Sequence, residues 1–139
     1  MRRLLSTTVA TLALAAGLVI STSSPAAAES APGCGPVTQI GSTGYITTST
    51  GQTAASVKQF KGCGKNWAYV YVWQSFRDTY GSWKVTAWIK TSSQSVGSST
   101  SSGSEVWSWP TDTLYVCTQG GGQLEFGSQS HYGYTDTRC

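Results

Sequence analysis

The chain has 139 residues, with 9 Lys or Arg against 6 Asp or Glu and a single His. Arg2 and Arg3 belong to an N-terminal leader, so the remainder holds 7 basic and 6 acidic residues. That near-balance leaves no basic stripe for nucleic acid. All 6 Trp, 7 Tyr and 3 Phe lie beyond Ala28 while aliphatic residues are scarce, so rings must supply much of the packing.

Residues 1–28 have the form of a secretion signal. The Arg pair begins it, Val9 to Ile20 is an apolar run too short to span a bilayer comfortably, and Pro25-Ala26-Ala27-Ala28 offers the small residues of a cleavage site. Nothing else of a twin-arginine signal follows, which points to the general secretory route. Cys34 does not suit a lipid anchor, because Ala31-Pro32-Gly33 precedes it and the apolar run ends at Ile20. No later segment is apolar enough for membrane insertion. The expected product is residues 29–139, secreted and extracellular, with a flexible arm at 29–33 and one domain at 34–139.

Cys34, Cys63, Cys117 and Cys139 are an even set in an exported chain and read as two disulfides. Three pairings are open. The local one, Cys34–Cys63 with Cys117–Cys139, staples each end of the domain and is preferred. A metal site is disfavoured by the single His and the lack of paired C-x-x-C spacing, and no cofactor motif is present.

Thr43 to Thr48 reads as a strand in which Gly44 marks a bulge, followed by a turn at Ser49-Thr50-Gly51-Gln52 and a strand from Thr53 to Phe60. Lys61 to Lys65 is a bend pinned by Cys63. Asn66 to Lys90 is the most strand-like stretch, two runs of Val, Ile, Tyr and Trp split by Arg77-Asp78-Thr79-Tyr80-Gly81. It predicts a hairpin with Thr79-Tyr80-Gly81 as its loop, Trp73 opposite Ala87 and Tyr71 opposite Ile89. That register puts Trp67, Tyr69, Tyr71 and Trp73 with Trp83, Val85, Ala87 and Ile89 on a core face. The other face then carries Val70, Val72, Gln74 and Phe76 with Lys84, Thr86, Trp88 and Lys90, under a thin second layer or a partner.

The Ser-rich segment 91–104 is expected as a loop or an edge strand. Glu105 to Trp109 reads as a strand ended by Pro110, and Leu114 to Gln119 as another. Gly120-Gly121-Gly122 reads as a turn, and Gln123 to Phe126 with Ser130 to Asp136 as a last hairpin around Gly127, with Tyr132 and Tyr134 on one face. No helical period survives beyond the leader. The fold class is therefore all-β, a small antiparallel sandwich or partly open barrel of about 7–8 short strands, stapled by two disulfides.

Catalysis has little to stand on. His131 sits between Ser130 and Tyr132 with Asp136 nearby, but no G-x-S-x-G elbow accompanies it. Glu105 and Glu125, beside Trp107 and Phe126, are the best pair for a glycosidase and fall on different strands. Binding is the stronger expectation. The candidate contact residues are Phe76, Arg77, Tyr80, Lys84, Trp88, Lys90 and Trp109, because exposed aromatics beside Arg or Lys are what protein hot spots use. Trp88 is the foremost exposed ring and Arg77-Tyr80 a rigid tip.

Gln74-Ser75-Phe76-Arg77 resembles the Gln-Ser-Trp-Arg segment of tendamistat-type α-amylase inhibitors, which are small secreted β-sandwiches with two disulfides. The likeness covers four residues and assigns no family. It departs at Phe76, where that family has Trp, at Asp78, where it has Tyr, and in lying after Cys63 rather than between the first two cysteines. The expected function is that of a secreted, non-enzymatic protein acting through another secreted or cell-surface protein, as an inhibitor of a secreted hydrolase or a subunit of a secreted assembly such as an antibacterial particle. A carbohydrate- or cell-wall-binding module comes second and a small hydrolase last.

Overall fold

The computed structural model describes residues 29–139; the expected leader and its cleavage site lie outside them. The strands are β1 (Ser30–Ala31), β2 (Gly35–Pro36), β3 (Thr38–Thr47), β4 (Thr53–Gly62), β5 (Lys65–Val72), β6 (Lys84–Lys90), β7 (Ser95–Ser101), β8 (Glu105–Trp107), β9 (Gln119–Phe126) and β10 (Gln129–Tyr134), with a single helical turn, α1 (Gln74–Arg77), between β5 and β6. Two four-stranded antiparallel sheets, β3-β4-β5-β8 and β10-β9-β6-β7, pack face to face. The all-β, two-disulfide sandwich is thus the fold, with bridges Cys34–Cys63 and Cys117–Cys139.

Side chains alternate across each strand, so every second residue meets the opposite sheet. Ile46, Val57, Val70, Val72 and Val106 from the first sheet meet Val85, Ala87, Ile89 and Leu124 from the second, and all are buried. The long hairpin over Asn66–Lys90 is not formed. β5 pairs with β4 and β8, whereas β6 pairs with β7 and β9, so the two runs lie in different sheets. The core face is as expected for β6 and reversed for β5, where Val70 and Val72 point inward. Trp67, Tyr69 and Tyr71 point outward. The reason is the tight β4–β5 turn, in which Cys63 (φ 54°) and Gly64 (φ 69°) join Gly62 to Lys65 as a two-residue hairpin. β4 supplies the neighbour that the longer loop at 79–81 was expected to provide.

The outward rings of β5 receive a thin roof. Ala31 and Val37 are buried against Phe60, Trp67 and Tyr69, with Cys34 and Trp107 beside them. The segment expected as a flexible arm is therefore docked. Ser30–Ala31 pairs with Gly35–Pro36, and Glu29 forms an ion pair with Lys58 at 2.6 Å.

Both open sides of the sandwich are drawn together. Along one, β3 meets β10 so closely that a Cβ on Gly44 would lie 2.0 Å from the Tyr134 carbonyl oxygen. Along the other, Trp109 donates its backbone N–H to the Gly97 carbonyl at 2.8 Å. The Ser-rich segment forms the edge strand β7, and the last hairpin turns at Gly127 as expected. Two further expectations are corrected. Gly120 to Gly122 is no turn but the buried start of β9, where Gly121 leaves room for the Trp88 indole and Gly122 for Val57 and Val70. Leu114 to Val116 is no strand. Thr111 pairs with Asn66 of the first sheet and Thr118 with Arg138 beside the second, so the residues between them bridge the sheets and have no strand to pair with.

Candidate functional site

Two connections carry the chain from the first sheet to the second, at opposite ends of the sandwich. One is 73–83, after β5; the other is 108–118, beside the start of β5. The expected contact residues divide among these ends and the outer face of the second sheet, and do not form one patch.

In 73–83, Phe76 is fully buried and so cannot touch a partner. The helical turn α1 drives it between the sheets, where Tyr80 stacks on it at 4.6 Å and Phe126 meets it edge-on at 4.9 Å. Arg77 is spent internally: Nε donates to the Val72 carbonyl and Nη2 to the Tyr71 hydroxyl, each at 3.1 Å. Tyr80 is half-buried. The segment with the inhibitor-like residues is therefore a plug and not a presented tip.

Trp88 is also corrected. It lies on the outer face of the second sheet yet is only 7% exposed. Gly121, its cross-strand partner, leaves a hollow into which the indole settles, and Tyr132 and Tyr134 close on it edge-on at 6.3 and 6.0 Å. Its Nε1 is buried without a hydrogen-bond partner. Lys84 is exposed opposite Glu125, and Lys90 reaches over the Tyr134 ring at 5.2 Å.

The catalytic candidates stay apart. His131 contacts Gln129 and stacks on Phe126, while Asp136 bonds Ser42 and Arg138. Glu105 and Glu125 lie on the outer faces of different sheets, since Val106 and Leu124 beside them point inward. Glu105 accepts the Tyr69 hydroxyl. Burial, and that carboxylate next, push the Tyr69 phenol well above the ordinary tyrosine range.

Among the described residues Tyr45, Tyr132 and Tyr134 are exposed on β3 and β10, and the other exposed large apolar residues lie on 108–118. Trp109 is 66% exposed and Tyr115 82%, and Leu114 and Val116 stand out beside it. The sequence offered Trp109 but hid the other three, because Leu-Tyr-Val reads as a strand. Beneath them the end of the core is polar. Gln59 Nε2 donates to Asn66 Oδ1 at 2.9 Å and to Thr118 Oγ1 at 2.6 Å, and Asn66 Nδ2 donates to Thr113 Oγ1 at 3.0 Å. Gln59 Oε1 is already buried without a partner, and an intruding Leu or Tyr would strand the bonded members of this network as well, at a cost of about 1–3 kcal/mol each. The apolar residues are left outside for that reason.

The connection is nonetheless held firmly. Thr111 exchanges backbone hydrogen bonds with Asn66, Lys65 forms an ion pair with Asp112, Thr118 exchanges bonds with Arg138, and Cys117 is bridged to Cys139. It has two aspects. Leu114 and Val116 line a groove of about 530 Å³ with Ile40, Lys61 and Arg138, while Trp109 and Pro110 line a different one.

The class these features define is a disulfide-stapled β-sandwich suited to an oxidising, extracellular-type environment. Among the described residues no helix is long and apolar enough to cross a membrane. Comparison with protein-family models, curated proteins and solved structures returns no match.

Proposed function

We propose that this is a secreted, non-catalytic protein that binds another secreted or cell-surface protein through Leu114, Tyr115 and Val116. It would act as an inhibitor of a secreted hydrolase or as a subunit of an extracellular assembly. The observation that carries this reading is Tyr115, 82% exposed on a connection anchored at both ends. Tyr is among the residues that dominate protein interfaces, and a contact loop already fixed in place loses little entropy on binding. Lys61 adds a cation beside the loop, while Arg138 is already paired with Asp136.

The test is co-purification from spent culture medium on immobilised protein, with the bound species identified by mass spectrometry. Tyr115→Ala should lose the partner and Lys84→Ala should keep it. Equal recovery by Tyr115→Ala and the unaltered protein would overturn the reading.

A further inference from the structure

A second groove, of about 500 Å³, opens where β8 at the edge of the first sheet faces β7 at the edge of the second. One side of it is made of rings. Trp107 is locked in place by Tyr69 at 4.6 Å and Phe60 at 5.3 Å beneath it, and Trp109 stands beside it, 66% exposed. Trp109 is itself steadied by its backbone bond to Gly97 and by Pro110 after it. Ser99, Thr100 and Ser101 from β7 also line the groove; the Thr100 hydroxyl is bonded to Thr86 on the outer face, and the Ser101 hydroxyl accepts the Gly103 N–H and keeps its own proton to donate. Glu105 is the sole ionisable group in the lining, and one of its two oxygens is taken by Tyr69.

We propose that this groove binds a neutral polysaccharide chain, with sugar rings against Trp107 and Trp109 and sugar hydroxyls on Glu105 and the Ser99 and Ser101 hydroxyls. A pyranose has an apolar C–H face and a polar rim, which are the two chemistries the walls supply. The lone carboxylate, with no cation near it in the lining, repels uronate- or phosphate-bearing polymers. A proline-rich peptide would also meet rings, but it carries no hydroxyl donor for the free Glu105 oxygen, and the Tyr69 hydroxyl and Trp67 Nε1–H are already spent on Glu105 and the Gly62 carbonyl. Sugar hydroxyls can donate to the free Glu105 oxygen instead. The groove is independent of the Tyr115 contact, so the molecule would hold a protein with one aspect of a connection and a glycan surface with the other.

The experiment measures retention of the purified protein on cellulose, chitin and starch, with polygalacturonate as the anionic comparison and a polyproline peptide as the competing ligand. Tryptophan fluorescence follows binding in solution. Retention on at least one neutral polymer is expected. Trp109→Ala should weaken it by about tenfold or more, the loss of one stacked ring. Being exposed, Trp109 can be removed without unfolding the chain, which circular dichroism checks. Tyr115→Ala should bind the glycan normally, which separates this site from the protein contact. Glu105→Gln should weaken neutral binding and relieve the rejection of polygalacturonate. No retention on any neutral polymer, retention unchanged in Trp109→Ala, or tighter binding of polyproline than of every glycan would each overturn the proposal.

Discussion

The connections 73–83 and 108–118 do the same topological job with opposite outcomes. Each crosses from the first sheet to the second and each is rich in large apolar residues. At the 73–83 end the sandwich offers an apolar floor that includes Phe126, and the chain coils once so that Phe76 and Tyr80 pack against it. At the 108–118 end it offers Gln59, Asn66 and Thr118, already bonded to one another, and the chain passes over with its apolar residues outward. What decides whether a connecting segment becomes core or contact surface is therefore the chemistry of the floor below it, more than its own hydrophobicity.

Phe76→Ala should be the most damaging way to break the comparison. It removes a fully buried ring, and a loss of about 3–5 kcal/mol is expected, read as a fall in the urea midpoint. Removing the other staple comes next. Cys117→Ser with Cys139→Ser opens a bridge of sequence separation 22, which contributes roughly 3 kcal/mol. Limited proteolysis should then cut within 112–117 while leaving 73–83 intact. Cleavage first at 73–83 would mean that the plug, and not the bridged connection, is the weaker end. Tyr115→Ala should change stability by no more than about 0.5 kcal/mol, because the ring stands in solvent. A large loss there would show that Tyr115 belongs to the fold and would remove the basis for a contact role.

Much of the fold was legible because it rests on local signals. The Cys63 bend, the Gly127 hairpin and the pairing of nearby cysteines each depend on a few adjacent residues. Where the reading failed, a distant partner was decisive. Asp78-Thr79-Tyr80-Gly81 has the composition of a hairpin loop, yet β5 had already paired with β4 through a tighter turn, and that moved β6 to the other sheet. The candidate site suffered from the same blindness. Trp88 looked exposed among lysines, and only the glycine opposite it, thirty-odd residues on, shows where the indole goes. Leu114-Tyr115-Val116 looked like a strand because propensity cannot register that both sheets are already complete at that end.

The smallest effect should come from acid, and it sharpens the contrast between the ends. Asp136 is exposed, and its Oδ1 accepts the Ser42 backbone N–H at 2.8 Å while Oδ2 pairs with Arg138 at 2.7 Å. The Ser42 amide first, and Arg138 after it, hold this carboxyl below the usual carboxylate range. The unfolded chain, with an ordinary Asp near about 4, takes up its proton at a higher pH than the folded one. The stabilisation is thus complete at neutral pH and is lost as pH falls through the depressed native value. The Phe76 end has no such carboxylate contact in its packing and, with the His131 ring that stacks on Phe126 replaced in a His131→Gln background, should not respond. Amide protection at Thr118 and Arg138, whose backbones are bonded to each other, should fall in acid before protection at Phe76 and Tyr80, exchange being referred to the intrinsic rate at each pH. In Asp136→Asn that early fall should vanish, with slightly lower protection already present at neutral pH. If acid instead loosens both ends together in the His131→Gln protein, the two connections are not independent, and the polar floor cannot be what sets 108–118 apart.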